Sequence, residues 1–216
     1  MKYIIMAGGI YPEFEKPRQL TKVFGEPLVG RTIRLLKENG IEDIAISSTL
    51  EGFDGFGVPV LKHDNDFDLS RLDECWWLDA FYPMDEPVCY IFGDVYFSPR
   101  AIKTIVDYTV EDVMLFASGP WTFGKAYIKE WGEPFAFKVE NTGYFHRCIE
   151  ITKDRHRAGM FVRHPVSWEL WQVIRGTQLN IIKSNYVQIN DYTCDIDHPQ
   201  DARMIELNIT KCGLST

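Results

Sequence analysis

Short apolar runs alternate with amphipathic stretches along most of this chain. Residues 2–6 form an apolar run that leads into two glycines, which is typical of a buried strand followed by a tight loop. Pro27 then begins a helix that continues to about Asn39, with apolar side chains on one stripe and Gly40 after its end. Residues 43–47 predict the next strand. A strand, a helix and a strand in this order predict the first half of a parallel α/β sheet.

The alternation continues through the middle of the chain and becomes less regular after residue 120. In the middle it predicts strands at residues 58–61, Val88–Phe92 and Val113–Ala117, and helices over residues 70–82 and after Ser98-Pro99. The less regular part predicts two strands within residues 121–140, helices over 142–154 and 166–175, and strands at 181–182 and 187–189. We therefore expect a mixed, mostly parallel sheet flanked by helices in one domain, residues 1–216.

Composition excludes several classes of protein. Hydrophobic residues make up 45% and charged residues 25% of the chain, as in soluble globular proteins. No segment approaches the roughly 18 apolar residues of a membrane span, and the first apolar run is too short for a signal peptide, so we expect a cytoplasmic protein without a membrane partner. Five scattered cysteines without a C-x-x-C pair indicate reduced thiols.

Net charge limits the partners that the protein can have. A net charge of −8 repels a polyanion and disfavours a nucleic-acid partner. An anionic small substrate stays compatible with this charge, because a local cluster of Lys and Arg acts at short range. The acidic residues also suit a divalent cation.

Three segments carry candidate chemistry, and each also has an ordinary structural explanation. Ala7-Gly8-Gly9 ends the first strand, where backbone N–H groups could approach a phosphate or the glycines could simply form a turn. Asp94 follows the apolar strand Val88–Phe92, where it could bind a hard cation or close a turn. Asp197 precedes Pro199 at the start of the last helix, where helix capping alone would explain it.

Together, the segments resemble the signature of the nucleotidyltransferases with a GT-A fold, which attach a nucleoside monophosphate to sugar phosphates, phosphocholine and related compounds. The residues that match are Ala7-Gly8-Gly9, Pro17-Arg18-x-Leu20-x-x-Val23-x-Gly25-x-Pro27-Leu28 without a gap, Gly93-Asp94 and Ile196-Asp197-x-Pro199-x-Asp201-Ala202. The resemblance implies a Rossmann-like GT-A fold, with a nucleotide-binding half over about 1–118 and an acceptor-binding half over about 119–216.

The resemblance also implies a role for each matching residue. Ala7, Gly8 and Gly9 would hold the nucleotide, and Arg18 would contact its phosphates at the position where the family has a lysine. Asp94 and Asp197 would hold Mg²⁺, with Asp195 as a helper.

The chain departs from the family pattern in two places. The loop after Gly9 lacks the family's arginine for the triphosphate, and Lys16 is the candidate replacement. Arg18 keeps the charge of the family's lysine but replaces a point charge by a planar fork.

These roles predict an enzyme that transfers NMP from an NTP to a phosphorylated small acceptor and releases pyrophosphate. Arg18, Asp94 and Asp197 would be the catalytic residues through positioning and charge neutralisation, and the ionised attacking phosphate needs no general base. The size of the chain resembles that of cytidylyltransferases from surface-polysaccharide pathways. The candidate acceptor-binding residues are Lys125, Lys138 and Arg163.

Two alternatives stay open on the sequence. A GT-A glycosyltransferase that uses a nucleotide-sugar would explain the missing loop arginine, although the match over residues 17–28 argues against it. A non-catalytic nucleotide-binding relative would explain both the altered loop and Arg18.

Overall fold

The computed structural model describes residues 1–9, 11–63, 75–120, 123, 132–177 and 185–214. The strands are β1 (Lys2–Met6), β2 (Lys22–Val23), β3 (Glu26–Pro27), β4 (Ile44–Ser47), β5 (Val60–Leu61), β6 (Val88–Phe92), β7 (Val95–Tyr96), β8 (Val113–Ala117), β9 (Pro134–Val139), β10 (Val187–Gln188) and β11 (Cys194–Asp195). The α-helices are α1 (Leu28–Glu38), α2 (Trp76–Asp79), α3 (Pro99–Asp107), α4 (Thr142–Arg157), α5 (Ser167–Arg175) and α6 (Pro199–Cys212). No helix within these ranges is both long and apolar enough to cross a membrane.

Among the described residues, seven strands form the central sheet in the order β10-β8-β9-β6-β1-β4-β5. β1 pairs in parallel with β4 and β6, β4 with β5, and β8 with β10. β9 runs antiparallel between β6 and β8. The predicted mixed, mostly parallel sheet is therefore confirmed, and strands from both predicted halves of the chain share it.

The local patterns explain most of the elements. β1 and β6 are buried almost throughout, as expected for inner strands of a mostly parallel sheet, and each pairs with a neighbouring strand along both edges. Helix α1 buries one stripe and ends before Gly40, whose φ of +78° suits a glycine. Ser98 begins α3 by accepting a hydrogen bond from the Ala101 N–H at 2.9 Å.

Some predicted elements differ in the structure or lie outside the part that it describes. The helix predicted over residues 70–82 is α2, which ends at Asp79, and residues 64–74 are not described. One of the two strands predicted within 121–140 is β9, and most of the rest of that stretch is not described. The strand predicted at 181–182 also lies outside the described residues.

A second, smaller core joins the N-terminal and C-terminal segments of the chain. It contains Val23 and Leu28 from the first third and Ile196, Ile205 and Ile209 from the last segment, all buried. β7 and β11 pair antiparallel beside it. This packing brings the residues that follow β6 next to those that follow β11.

Candidate active site

A cavity of about 520 Å³ opens at the carboxyl ends of β1 and β6. This volume is within the range of small-molecule binding sites, and the carboxyl edge of an open α/β sheet is where such sites form. The residues of the three sequence segments that line it are Gly8, Gly9, Arg18, Asp94, Asp195 and Asp197. The fold therefore brings the three candidate segments to one place.

The register of β1 and β6 positions the first two segments side by side. Met6 pairs with Phe92, so β1 and β6 end at the same level of the sheet. The Gly93 N–H donates to the Met6 carbonyl at 3.0 Å, and a Cβ atom at Gly93 would lie only 2.6 Å from that oxygen. Only glycine fits this close approach, and it places Asp94 beside the glycine loop.

In the glycine loop, one residue is buried in the core and two line the cavity. Ala7 is fully buried, and its N–H donates to the Ser47 carbonyl at 2.9 Å. Gly8 and Gly9 line the cavity, with Gly9 at a φ of +86°. The Gly8 carbonyl accepts a hydrogen bond from Gln19 Nε2 at 2.8 Å, so a buried side chain from the next segment holds the loop.

Arg18 lies at the centre of the site. Its Nη2 forms an ion pair with Asp94, and its Nη1 lies 3.7 Å from Asp197 Oδ1. Nη1 also contacts the Ile196 carbonyl at 3.5 Å. The guanidinium carbon lies 3.9 Å from the centre of the Tyr11 ring, a distance typical of a cation–π contact. A single guanidinium therefore contacts both predicted metal ligands and offsets part of their negative charge.

Burial and neighbouring charges act in opposite directions on this cluster. Desolvation lowers the pKa of Arg18, but Asp94, Tyr11 and Asp197 together raise it above its ordinary value. Burial raises the pKa of Tyr11, and the nearby Arg18 offsets part of that rise. At neutral pH, Arg18 is thus a cation and Tyr11 a neutral phenol.

The backbone couples Asp94 to the segment that carries Asp197. The Ile196 N–H donates to the Asp94 carbonyl at 2.9 Å, which extends the β7–β11 pairing. The capping explanation for Asp197 is wrong, because His198 occupies the N-cap position of α6. Asp201 Oδ2 accepts hydrogen bonds from the N–H groups of Asp197 and His198 at 2.9 and 3.0 Å. The Asp197 side chain instead lines the cavity.

Three carboxylates form a group in the same cavity, and the sequence patterns identified two of them. Oxygens of Glu133, Asp195 and Asp197 lie within 4.8 Å of one another, close enough to share a metal ion. Carboxylate oxygens are the ligands that Mg²⁺ prefers, so the donor set fits this cation. Glu133 belongs to no motif, and its only local signal is its place between Gly132 and Pro134.

Close packing holds Glu133 in place. Its N–H donates to Ser118 Oγ and its carbonyl accepts from the Ser118 N–H, both at 2.8 Å. A Cβ atom at Gly132 would lie 1.9 Å from the Ser118 carbonyl oxygen, so only glycine allows the two chains to meet. The Gly132 carbonyl also accepts from Trp168 Nε1 at 3.0 Å. Two distant segments thus fix the backbone from which the Glu133 side chain extends.

The remaining predicted binding residues have different positions. Arg163 lines the cavity, where its Nε donates to Glu169 Oε1 at 2.7 Å. Lys16 is exposed and is not among the residues that line the cavity. Lys125 lies outside the described residues.

Lys138 does not reach the cavity, contrary to the acceptor role expected for it. Its buried Nζ donates to the carbonyls of Ile105, Val106 and Tyr108 at 2.8–2.9 Å. Those carbonyls lie at the end of α3 and just beyond it, where a helix leaves its last acceptors without partners. The acceptor role expected for Lys138 is therefore wrong, because all three of its N–H donors are engaged by backbone carbonyls.

Aromatic side chains form much of the cavity wall. Trp76 and Trp77 of α2, Phe92 at the end of β6 and Trp168 of α5 all line it. Trp77 meets Phe92 edge to face, with ring centres 5.6 Å apart. The cavity thus combines an apolar wall with a charged floor, as ligand sites generally do.

No protein-family model and no curated protein matches this sequence. Solved structures match along almost its whole length. CTP:phosphocholine cytidylyltransferase from Streptococcus pneumoniae is 18% identical, with a TM-score of 0.54 over 95% of this chain and 97% of that chain. The inositol-1-phosphate CTP transferase from T. maritima is 15% identical, with a TM-score of 0.52 over 100% and 98%. HddC from Yersinia pseudotuberculosis, complexed with GMP-PN, is 14% identical, with a TM-score of 0.53 over 95% and 98%.

Identities of this size bear on the fold alone. The strand order, the mostly parallel sheet and these similarities agree with the fold expected from the sequence. The predicted nucleotidyltransferase fold is confirmed, and this chain has the fold of the two CTP-using transferases.

Proposed function

We propose that this protein is a nucleotidyltransferase that transfers NMP from an NTP to a phosphorylated small acceptor and releases pyrophosphate. The observation that carries the proposal is the convergence of Gly8, Gly9, Arg18, Asp94 and Asp197 on one cavity. These are the residues to which the sequence resemblance assigns the nucleotide and the metal. The similar fold of two CTP-using transferases supports the same function.

The carboxylates of the cavity are the proposed ligands of Mg²⁺. Asp94 and Asp197 are the primary pair, and Glu133 and Asp195 add donors on the side of Asp197. When bound, the cation would neutralise charge on the phosphates and help to orient them for in-line transfer.

The protein's own residues supply positioning and charge. The loop at Gly8 and Gly9 leaves backbone close to the cavity, where N–H groups can approach the nucleotide. Arg18 neutralises negative charge that develops as pyrophosphate leaves. The acceptor's phosphate attacks the α-phosphorus, and Arg163, which lines the cavity, is the residue that we propose to bind that phosphate. Positioning of the reactants and neutralisation of their charges together would provide the rate acceleration.

We further propose CTP as the nucleotide, because two of the similar structures are of enzymes described with CTP. The five cysteines are free thiols, in keeping with a reducing compartment such as the cytoplasm. Sugar phosphates and phospho-alcohols are the acceptor classes to test first.

The direct test is release of pyrophosphate from each NTP in the presence of Mg²⁺ and a panel of phosphorylated acceptors. We expect release with one NTP and one class of acceptor, and its loss in a folded Asp94→Asn variant. Hydrolysis of a nucleotide-sugar without use of any NTP would instead favour a glycosyltransferase. Nucleotide binding by calorimetry without turnover, not restored in Arg18→Lys, would favour a non-catalytic relative.

A further inference from the structure

Arg18 contacts both aspartates that are the proposed metal ligands. Its Nη2 pairs with Asp94 Oδ2, and its Nη1 lies 3.7 Å from Asp197 Oδ1. A divalent ion held between Asp94 and Asp197 would therefore compete with the guanidinium for these carboxylates. A divalent ion and a guanidinium at one carboxylate repel each other, and the low polarity of a partly enclosed cavity strengthens that repulsion.

The contacts that hold Arg18 are exchangeable. The Arg18 side chain is 14% exposed, and its buried Nε has no hydrogen-bond partner among the residues that the structure describes. Its contact with the Ile196 carbonyl, at 3.5 Å, is longer than an ordinary hydrogen bond. The Tyr11 ring supports one face of the guanidinium without fixing its direction. The ion pairs with the two aspartates are thus the main restraint on its position.

We propose that Arg18 is the counter-ion of Asp94 in the metal-free protein and that a divalent cation displaces it from this carboxylate. Once displaced, the guanidinium is available to the phosphates of the nucleotide. The exchange rests on the proposed function for its biological meaning, but it is a property of the folded protein and is measurable without substrate. It makes cation binding weak in the free protein and stronger when a nucleotide accepts the guanidinium.

The test measures binding of Mn²⁺, a paramagnetic substitute for Mg²⁺, by loss of the free-ion signal in electron paramagnetic resonance without nucleotide. We expect Arg18→Gln to bind Mn²⁺ about tenfold more tightly than the wild type, because a charged competitor is removed. Arg34→Gln is the matched control, since it removes the same charge from an exposed residue that pairs with Glu26 and Glu38. Equal or weaker affinity in Arg18→Gln, or the same gain in Arg34→Gln, overturns the proposal.

A double-variant comparison assigns the competition to Asp94. In an Asp94→Asn background, the further change Arg18→Gln is expected to raise Mn²⁺ affinity clearly less than in the wild-type background, because only the weaker repulsion beside Asp197 is then relieved. A gain as large as in the wild-type background would overturn the exchange at Asp94.

A measurement on the native protein covers the case in which Arg18→Gln fails to fold. Arginine side-chain ¹H–¹⁵N spectra report each Nε–H, and the Arg18 signal is assigned by its loss in Arg18→Lys. Added Mg²⁺ is expected to shift the Arg18 signal and not that of Arg34, and an unmoved Arg18 signal at saturating Mg²⁺ overturns the proposal. Pyrophosphate release is a separate readout, so its absence contradicts the proposed function and leaves the exchange to be judged by cation binding alone.

Discussion

Arg18 and Arg31 each lie beside a tyrosine ring and a carboxylate, but Arg31 is fixed in the core and Arg18 lines a cavity. Arg31 lies with its guanidinium carbon 4.4 Å from the centre of the Tyr96 ring and its Nη1 3.6 Å from Glu26 Oε2. Its Nε donates to the Phe97 carbonyl at 2.8 Å, and only 4% of the residue is exposed. Arg31 is a structural arginine, because its hydrogen bond to the buried Phe97 ties α1 to the residue that follows β7.

Arg18 also has a tyrosine ring and a carboxylate beside it, but its surroundings are those of a binding site. Its partners Asp94 and Asp197 line the cavity together with Tyr11, and its contact with the Ile196 carbonyl is longer, at 3.5 Å, than the 2.8 Å hydrogen bond of Arg31 to the Phe97 carbonyl. An aromatic ring and a carboxylate therefore do not distinguish a structural arginine from a functional one. Arg31 is distinguished by its short hydrogen bond to a buried backbone carbonyl, and Arg18 by its position in an open cavity.

The largest expected effect comes from neutralising Asp94, the carboxylate partner of Arg18, and the matched change at Glu26, beside Arg31, is its control. Asp94→Asn should lower kcat/KM for pyrophosphate release by about 10³-fold, since it removes a proposed metal ligand and leaves Arg18 without its counter-ion. Glu26→Gln should leave activity close to that of the wild type. Steady-state assays, with circular dichroism to verify folding, measure both. Equal losses in the two variants would contradict the comparison.

Substitution of Arg18 should lower mainly activity, whereas substitution of Arg31 should lower mainly stability. Arg18→Gln should reduce kcat/KM by about 10²-fold while the free energy of unfolding changes little. Arg31→Gln should lower the free energy of unfolding by about 3 kcal/mol, because buried partners lose a charged hydrogen-bond donor. Denaturant titrations and pyrophosphate assays on the same preparations measure the two effects. A stable, inactive Arg31→Gln variant would break the distinction.

The tyrosine rings offer a smaller contrast. Tyr11→Leu should lower activity about fivefold, which corresponds to a cation–π contact worth about 1 kcal/mol. Tyr96→Leu should act mainly on stability, lowering it by about 3 kcal/mol, because Tyr96 is fully buried. Thermal unfolding and kinetics of both variants measure these losses. A Tyr11→Leu variant that lost mainly stability would contradict a role for Tyr11 in the binding site.

The smallest expected effect is a pH dependence on the Arg31 side. Hydrogen bonds from Arg34 lower the pKa of Glu26, so its contribution to stability is present above its ordinary pKa and is lost as the pH falls through the lowered value. The stability difference between wild type and Glu26→Gln should therefore shrink below about pH 4. Urea unfolding at a series of pH values measures this difference. A difference that grows in acid would have the wrong sign.

The fold was predictable where its causes are local. The strands β1, β6 and β8 coincide with apolar runs, and α3 begins at the Ser98-Pro99 cap that the sequence shows. The insertion of β9 antiparallel between β6 and β8 was not predictable, because no local pattern encodes which strand a segment pairs with.

The candidate site was predictable in part for the same reason. Asp94 and Asp197 were found because they stand in motifs next to recognisable elements. Glu133 was missed because its position depends on Ser118 and Trp168, which no sequence spacing links to it. Lys138 was assigned to the acceptor because a charge in an irregular region resembles a binding residue, whereas its partners lie at the end of α3.

The sequence by itself determined most strands of the central sheet, most of the helices, the glycine loop and the candidates Arg18, Asp94 and Asp197, because periodicity and side-chain chemistry are local properties. Only the tertiary structure decided that Arg18 lies between those two aspartates and that Glu133 joins Asp197 in the cavity. The physical reason is that electrostatic contacts depend on distances across the sheet edge. Strand register and the packing of the small second core set those distances, and neither appears in any single segment of the chain.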